Sequence, residues 1–293
     1  MSGTNLVIEE RSASIGTFTV GRLLPFRQKR MIGPFIYLDH MGPVKLVRGE
    51  NFDVLPHPHI GLSTLTYLLE GSITHRDSIG SVVEIKPGEV NWMTAGRGIV
   101  HSERTPGYLR HEDKSIHGLQ IWVALPKELE QAKPEFFHIE KDRIPFWNDN
   151  NLQFKLIAGE AFGRISPVPV YSRLFLLQVS STGKQAKNLG NNLYGEAGIY
   201  ILEGNIIYEE NTYGPKQLLV IPDKISGELV LEANTTIFIL GGEPFPEERL
   251  IDWNFVSTSR ELIETAKQKW HLQEFDKIGG ETEFVPHPFY NKK

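Results

Sequence analysis

Short runs of apolar and β-branched residues alternate with turn residues along most of the chain. The 27 glycines and 18 prolines fall between these runs, a pattern typical of β-sandwiches and β-barrels. The runs predict strands at Leu62–Leu69, Val82–Ile85, Leu119–Ala124, Tyr171–Val179, Gly198–Leu202, Gln217–Ile221 and Thr235–Leu240. Their spacing favours antiparallel sheets, and we therefore expect an all-β protein.

One helix is predicted near the carboxyl end of the chain. Thr258-Ser-Arg-Glu261 can form a capping box, and Leu262, Ala266 and Trp270 follow at the spacing of one helical face. We expect that face to pack on a sheet. A shorter helical turn is predicted at Lys127–Ala132, ahead of a proline.

A short segment occurs twice in the sequence. Tyr67-Leu-Leu-Glu-Gly71-Ser-Ile is followed, at an offset of 133 residues, by Tyr200-Ile-Leu-Glu-Gly204-Asn-Ile. In each copy a predicted strand enters a Glu-Gly turn and leaves through a second strand. A chain of 293 residues is long enough for two domains. We interpret the repeat as a duplicated β-domain, with the boundary in the polar stretch from Pro134 to Asn151.

Two pairs of metal-ligand residue types occur in the first copy. His57-Pro-His59 precedes the repeated segment, and His101-Ser-Glu103 follows it. Residues two apart on a strand share a face, so each pair is expected to project both side chains into the same interior. Two such strands on facing walls would bring three imidazoles and one carboxylate together. The spacing therefore predicts a metal site.

The second copy is predicted to lack this site. The offset of 133 places Gly190 and Asn192 at the positions of the first histidine pair. After a small gap, Thr236 and Phe238 fall near the positions of the histidine and glutamate of the second pair. We therefore expect the second domain to have a structural or recognition role.

Other histidines of the first copy have weaker claims to a metal role. His40, His75 and His117 are each isolated from the two pairs, and single histidines are most often surface or hydrogen-bonded core residues. His75 and His117 have the alternative of lining the cavity mouth or orienting a ligand. On this basis His75→Ala is expected to cost far less metal binding than His101→Ala.

Charge and composition exclude several other kinds of chemistry. The chain has 31 basic and 36 acidic residues and no basic run, so nothing indicates direct binding of nucleic acid or of a membrane surface. It has no cysteine, which leaves only nitrogen and oxygen ligands for a metal. Its first residues lack a basic segment followed by a long apolar run, and we expect a cytoplasmic protein.

The motifs in combination resemble the pirin family of the cupin superfamily. The resemblance rests on His57-Pro-His59, Thr66-Tyr-Leu-Leu-Glu-Gly71, Pro87-Gly88, Trp92-Met-Thr-Ala-Gly-Arg-Gly-Ile99, His101-Ser-Glu103, His117-Gly-Leu-Gln-Ile-Trp122 and Gly241-Gly-Glu-Pro244, and it covers most of the chain. It implies a bicupin, made of two cupin double-stranded β-barrels with a C-terminal helix. Residues 1–138 would form the metal-binding barrel. Residues 139–293 would form the barrel without metal ligands, together with the C-terminal helix.

The resemblance also implies one divalent metal ion, bound in the N-terminal domain alone. Its ligands would be the positions that match the family pattern, His57, His59, His101 and Glu103, which are the four residues that the spacing identifies independently. Iron(II) is the first choice. Nickel, copper, zinc, manganese and cobalt are the alternatives, because sites of nitrogen and oxygen ligands bind several first-row metals well.

Two positions depart from the expected patterns. Cupins in general place a glutamate ligand three or four residues after the His-x-His pair, but Ser63 and Thr64 stand there in this chain. The carboxylate ligand must therefore come from Glu103, as in pirins. Ile60 stands where the pirin pattern has an arginine, which leaves open what the mouth of the cavity binds.

The activity implied by the resemblance is that of a quercetin 2,3-dioxygenase, an oxidoreductase that incorporates O2 into a flavonol-like small molecule. Glu103 would be the catalytic residue that takes the phenolic proton. Ile60, Trp92 and Met93 would stack on the planar substrate, with ordinary core packing as an equal alternative. The chain is expected to act as a monomer.

Two other functions remain open from the sequence. One is a redox-sensitive regulatory protein that contacts transcription factors or enzymes, as some pirins do. The other is a cupin whose natural substrate is a different enolisable small molecule. Release of carbon monoxide from quercetin with many turnovers would separate an enzyme from a regulator.

Overall fold

The computed structural model describes residues 5–15, 18–221, 223 and 225–288. The first strands are β1 (Leu6–Glu9), β2 (Arg11–Ile15), β3 (Phe18–Leu24), β4 (Phe35–Leu46), β5 (Asp53–His59), β6 (Leu62–Glu70), β7 (Ile73–Asp77), β8 (Val82–Ile85), β9 (Val90–Thr94), β10 (Ile99–Arg104), β11 (Lys114–Ala124) and β12 (Glu135–Ile139). They are followed by β13 (Phe146–Asp149), β14 (Leu152–Ala161), β15 (Arg164–Ile165), β16 (Leu174–Ser181), β17 (Gln185–Asn188), β18 (Glu196–Glu203), β19 (Ile206–Tyr208), β20 (Asn211–Tyr213), β21 (Gln217–Ile221), β22 (Glu228–Leu231), β23 (Thr236–Gly242), β24 (Leu250–Asp252), β25 (Phe255–Ser257) and the helix α1 (Arg260–His271). Every predicted strand overlaps one of these, and the expected all-β class is confirmed. A short 3-10 turn at Lys127–Leu129 stands where a helical turn was predicted.

The same strand order occurs twice in the molecule. One four-stranded sheet has the order β5-β10-β7-β8, and another has the order β17-β22-β19-β20. The larger sheets run β12-β9-β6-β11-β4-β3-β2 and β1-β21-β18-β23-β16-β14-β13, with β15 paired to β14. Strands β6 and β18, which carry the repeated segment, occupy equivalent places. The topology therefore supports the duplication, and the bicupin architecture is confirmed.

The chain forms two compact units that are not continuous in sequence. The described residues within 13–20, 39–138 and 246–288 form one unit, here called the histidine unit. Those within 5–12, 21–38 and 139–245 form the other, the apolar unit. The chain passes from one unit to the other between residues 138 and 139, inside the polar stretch singled out from the sequence. A division at residue 138 is nevertheless too simple. Residues 5–12 and 21–38 belong to the apolar unit, and residues 246–288 belong to the histidine unit.

The helix α1 belongs to the histidine unit and not, as expected, to the second barrel. Its buried residues Ile263, Ala266 and Trp270 pack in one cluster with Ile60 and Val100. Burial of an apolar helix face is the main source of its stability, so these contacts decide where the helix docks. No helix in the described part of the chain is long and apolar enough to cross a membrane.

The helix begins one residue later than the predicted capping box. Ser259 is the N-cap, and its hydroxyl accepts a hydrogen bond from the Leu262 amide at 3.4 Å. Thr258 is engaged elsewhere, because its backbone N–H donates to the buried carboxylate of Glu130 at 2.9 Å. The side chain of Arg249, which is fully buried, lies 3.5 Å from the same carboxylate. Glu130 thus joins the segment before α1 to the rest of the histidine unit.

The interior of the apolar unit contains hydrocarbon where the histidine unit carries its ligand pairs. Strand β22 corresponds to β10, and its Leu229 and Leu231 are buried in a large cluster of leucine, isoleucine and valine side chains. The alignment to Thr236 and Phe238 was wrong, because both lie on β23, which corresponds to β11. The hairpin of β19 and β20 spans fewer residues than that of β7 and β8, and this difference breaks the constant offset before β22 is reached.

Gly61, two residues after His59, tests how closely strand β25 approaches the end of the first histidine pair. Its φ is +68°, and an added Cβ would lie 1.9 Å from the carbonyl oxygen of Val256. We expect Gly61→Ala to lower the free energy of unfolding by about 3 kcal/mol, through left-handed strain and a backbone clash together. Gly80→Ala is the control, since Gly80 has φ +99° but no heavy atom near its Cβ position. It should cost only about 1 kcal/mol. Urea unfolding measures both values, and equal costs would contradict the close approach.

Candidate metal centre

The predicted ligand pairs lie side by side on neighbouring strands of one sheet. Strand β10 runs antiparallel between β5 and β7, with His101 directly opposite His57 on one side and Glu103 opposite His75 on the other. Directly opposed residues share a face of the sheet, so these side chains all project to one side. The expectation of two facing walls was wrong. One sheet suffices because β10 contributes to both sides of the cluster.

Three of the four predicted ligands converge. Ligand atoms of His57, His59 and His101 all lie within 4.8 Å of one another, and all three side chains are buried. Nε2 of His59 and Nε2 of His101 are 3.1 Å apart. The Nδ1–H of His57 donates to the carbonyl oxygen of Leu55 at 2.8 Å, which leaves the lone pair on Nε2.

The electrostatics of the cluster suit a metal ion. Burial lowers the pKa of His57 to about 4, and burial together with the neighbouring imidazoles holds the pKa of His59 and of His101 well below the ordinary value. The imidazoles are therefore neutral at physiological pH, which is the form that binds metals. Two nitrogen ligands at about 2.1 Å from an ion, at right angles, have their atoms about 3 Å apart, as the facing Nε2 atoms here do. The donor set fits a divalent first-row ion.

Glu103, the fourth predicted ligand, is buried but belongs to a different group. Its carboxylate lies within 4.8 Å of ligand atoms of His101 and His75, and no group in the described residues unites it with all three converging histidines. Burial raises the pKa of Glu103, and the hydrogen bond from Thr66 at 3.0 Å opposes this effect in part. Glu103 is thus placed to reach the ion or to hold a proton beside it. Its direct ligation stays a prediction.

His75 and Asp77 are the polar residues of the cluster that the ligand assignment left out. Nδ1 of His75 is 3.4 Å from Nδ1 of His101, and its Nε2 is 3.1 Å from Oδ2 of Asp77. The sequence carried a signal for them, because His75-Arg-Asp77 is a third pair at strand spacing, on the strand that follows the Glu-Gly turn. His40 and His117 are in contact with each other, with their Nε2 atoms 2.9 Å apart.

One face of the larger sheet of the histidine unit contacts the cluster, and it is here called the cavity face. Strand register places Thr66 opposite Gln120, and Thr64 opposite both Met93 and Trp122, on the same face as the hydroxyl that bonds Glu103. The Trp122 ring meets His59 edge-on at 5.1 Å between centroids. This face is mixed, with hydroxyl and amide groups near the carboxylate and a large aromatic ring near the imidazoles.

Two of the three side chains expected to stack on a substrate point elsewhere. Ile60 packs with the apolar residues of α1 and not on the cavity face. Trp92 lies on the opposite face of β9 from Met93, and its Nε1–H donates to Thr94 at 3.0 Å. Of the three, Met93 alone is on the cavity face. Trp122 was not singled out in advance, because no sequence pattern marks whether Trp92 on β9 or Trp122 on β11 faces the cluster.

Comparison with known proteins identifies the class of this fold and site. A duplicated cupin architecture with a histidine cluster in the first copy defines a bicupin with one candidate metal centre. Family models for pirin and for the pirin C-terminal cupin domain match residues 17–123 and 180–276. A pirin-like protein of Caulobacter vibrioides is 47% identical over 269 residues, covering 91% of this chain and 92% of that protein. The chain belongs to the pirin family.

Solved structures extend the comparison. The crystal structure of a quercetin 2,3-dioxygenase from Acinetobacter baumannii has a TM-score of 0.90 and 33% identity, covering 97% of this chain and 94% of that one. The bacterial pirin YhhW from Escherichia coli, solved in complex with nickel(II), has a TM-score of 0.64 and covers 82% of this chain and 99% of that one. Its 18% identity makes this second likeness one of fold.

The converging histidines make His101 the most informative position to change. We expect His101→Ala to lower the bound metal per chain to less than about a tenth, because the variant loses the ligand shared by both groups of the cluster. The fold should persist, since the apolar unit builds the same architecture with leucine side chains on the corresponding strand β22. Elemental analysis and far-UV circular dichroism measure the two effects. His138→Ala is the control, because His138 contacts Asn91 and Glu89 and no candidate ligand. Unchanged metal content in the His101 variant would refute the assignment.

Proposed function

We propose that this chain is a metal-dependent dioxygenase that cleaves the ring of a flavonol or a related enolisable small molecule with O2. The observation that carries the proposal is a cluster of neutral, buried imidazoles beside a buried carboxyl group of raised pKa. Such a site combines a place for a Lewis-acidic ion with a group that can accept a proton. The similarity to a structure described as a quercetin 2,3-dioxygenase supports the same reaction class.

Iron(II) is the proposed ion, with nickel, copper, zinc, manganese and cobalt as alternatives. The donors are imidazole nitrogens and one carboxylate, a set that suits iron in oxygen chemistry and binds the later first-row metals at least as strongly. The nickel(II) complex of the Escherichia coli relative is consistent with this breadth. A divalent ion held by the three histidines would lower the pKa of a coordinating hydroxyl and stabilise the resulting anion.

The substrate would approach from the side of His57. His57 is 9% exposed, against 1% for His59 and 1% for His101, so it is nearest to solvent. Trp122, which contacts His59, offers the aromatic surface on which a planar ring can lie. The polar side chains around Glu103 lie next to the same histidine cluster. The substrate would therefore be oriented with its acidic hydroxyl toward Glu103.

Glu103 is the residue proposed to take the hydroxyl proton. Thr66 lies between Glu103 and Gln120, with its Oγ1 3.0 Å from Oε1 of Glu103 and 2.9 Å from Oε1 of Gln120. A hydroxyl donates one proton at a time. When the Glu103 carboxylate is ionised, Thr66 donates to it. When the carboxyl group is protonated, its O–H can donate to Thr66, which then donates to Gln120. The network therefore supports both protonation states.

A flavonol assay tests the proposed reaction. The iron-loaded protein should consume quercetin and O2 with release of carbon monoxide over many turnovers. Glu103→Gln keeps the shape of the side chain but cannot take a proton, and should lower kcat by about 100-fold. Stoichiometric binding of quercetin without turnover or release of carbon monoxide, in protein loaded in turn with each candidate metal, would overturn the proposal and favour a regulatory role. Elemental analysis of Glu103→Gln shows whether the loss follows from metal content or from the proton acceptor.

The role of Thr66 can be separated from its volume. Thr66→Val removes the hydroxyl and keeps the shape, so the buried carboxylate loses its donor, and kcat should fall by about 10-fold. Thr66→Ser retains the hydroxyl and should stay within about twofold of the unaltered protein. Steady-state kinetics at equal metal loading measures both. Equal losses in the two variants would show that packing, and not the hydrogen bond, is what Thr66 contributes.

A further inference from the structure

His75 lies between a candidate ligand and a carboxylate, in a fixed orientation. Its Nδ1 faces Nδ1 of His101 at 3.4 Å, and its Nε2 faces Oδ2 of Asp77 at 3.1 Å. The ring of Phe136 stacks on the His75 ring with centroids 4.3 Å apart and planes inclined by 15°. His75 and Asp77 are each about 2% exposed. Water therefore does not compete for these contacts, and each one constrains the next.

The direction of the hydrogen bonds follows from Asp77. Its Oδ1 accepts from the backbone N–H groups of Ile79 at 3.1 Å and Ser81 at 2.9 Å, as expected of a carboxylate. An ionised carboxylate can only accept, so the Nε2–H of His75 donates to it. The neutral form of His75 has one N–H, so its Nδ1 then carries a lone pair that can accept the Nδ1–H of His101.

The chain of contacts ends at the metal position. If Nδ1 of His101 carries the hydrogen, its Nε2 carries the lone pair, and this is the atom that faces Nε2 of His59 at 3.1 Å. The other tautomer of His101 would put a hydrogen where the ion must bind. Second partners that fix a ligand in its binding tautomer raise metal affinity.

We propose that Asp77 and His75 are positioning residues that hold His101 in the tautomer able to bind a metal through Nε2. The inference rests on the proposed metal centre and deepens it, by assigning a role to two residues that lie outside the expected ligand set. His75 is then not itself a ligand, because one of its nitrogens is bonded to Asp77 and the other faces the Nδ1 side of His101. The expectation that His75 matters less than His101 stays a prediction, and the proposal adds a defined effect of His75 on affinity.

The first test is Asp77→Asn. The amide can keep its oxygen toward the backbone donors of the turn and place its NH2 where Oδ2 was. It then donates to Nε2 of His75, which moves the His75 hydrogen to Nδ1 and forces the His101 hydrogen to Nε2. Two-bond 1H–15N correlation spectra of the metal-free protein report these tautomers directly. We expect His101 as the Nδ1–H form in the unaltered protein and the Nε2–H form in Asp77→Asn.

Metal affinity gives the second readout, with nickel(II) as the probe in calorimetric titrations. Asp77→Asn should bind about 10-fold to 100-fold more weakly than the unaltered protein. Asp53→Asn is the matched control, since Asp53 also lies in the small sheet and accepts from a backbone N–H, that of Thr105, but has no histidine partner. It should leave the affinity within about twofold. An Nε2–H form of His101 in the unaltered protein, or equal affinities for the two variants, would overturn the inference.

A second pair of variants keeps the proposal testable if the Asp77→Asn variant does not fold. His75→Gln can accept from His101 through its oxygen and donate to Asp77 through its amide, so it should retain nickel affinity within about threefold. His75→Leu removes both contacts and should lose about 10-fold to 100-fold. Equal, severe losses in both would make His75 a ligand and overturn its positioning role. The tautomer spectra need neither flavonol nor turnover, so a failed quercetin assay would count against the proposed reaction and not against this inference.

Discussion

The histidine unit depends on burying several polar side chains, away from water, on the inner face of one small sheet. A buried polar group without a hydrogen-bond partner costs up to about several kcal/mol, and a buried unpaired charge costs more. Two features of the cluster reduce this cost. Its three converging histidines are held neutral by burial. Leu55, Thr66 and Asp77 supply hydrogen-bond partners from three different strands. Neutral, oriented imidazoles are what a metal ion requires, so the same constraint prepares the site.

The apolar unit shows what the fold needs without that chemistry. It repeats the strand order of the histidine unit, yet Leu229 and Leu231 fill the strand that corresponds to the one bearing His101 and Glu103. Hydrocarbon at these positions is compatible with the architecture and avoids the desolvation of polar groups. The polar cluster is therefore not required to build the sheet pair. Its presence in one copy is explained by function, which is where a sequence is expected to depart from the simplest core.

The sequence predicted the elements well because strand periodicity and helix spacing are local signals. It also identified the three converging histidines, since residues two apart on a strand must share a face. The errors arose where distant segments decide. The offset of the repeat failed beyond the start of β7, because the corresponding hairpin of β19 and β20 is shorter. Ile60 was misplaced because the segment around α1, two hundred residues later, covers it. Whether Trp92 or Trp122 faces inward depends on register, which the sequence does not state.

The docking of the C-terminal segment on the histidine unit follows from what the metal cluster demands of its strands. Ser102 and Arg104 alternate with the inward residues of β10, and both donate to the carboxylate of Glu281, at 2.6 Å and 2.7 Å. The backbone N–H of Val285 donates to the carbonyl oxygen of Pro56, directly before the first histidine pair. Ligand positions must be held to within about 0.5 Å, which a sheet of four short strands exposed on one side does not secure by itself. Contacts on the outer face of β5 and β10 restrain the same backbone that sets the ligands inside. The segment after residue 245 therefore acts as part of the scaffold of the site, which gives a physical reason for its place in this unit.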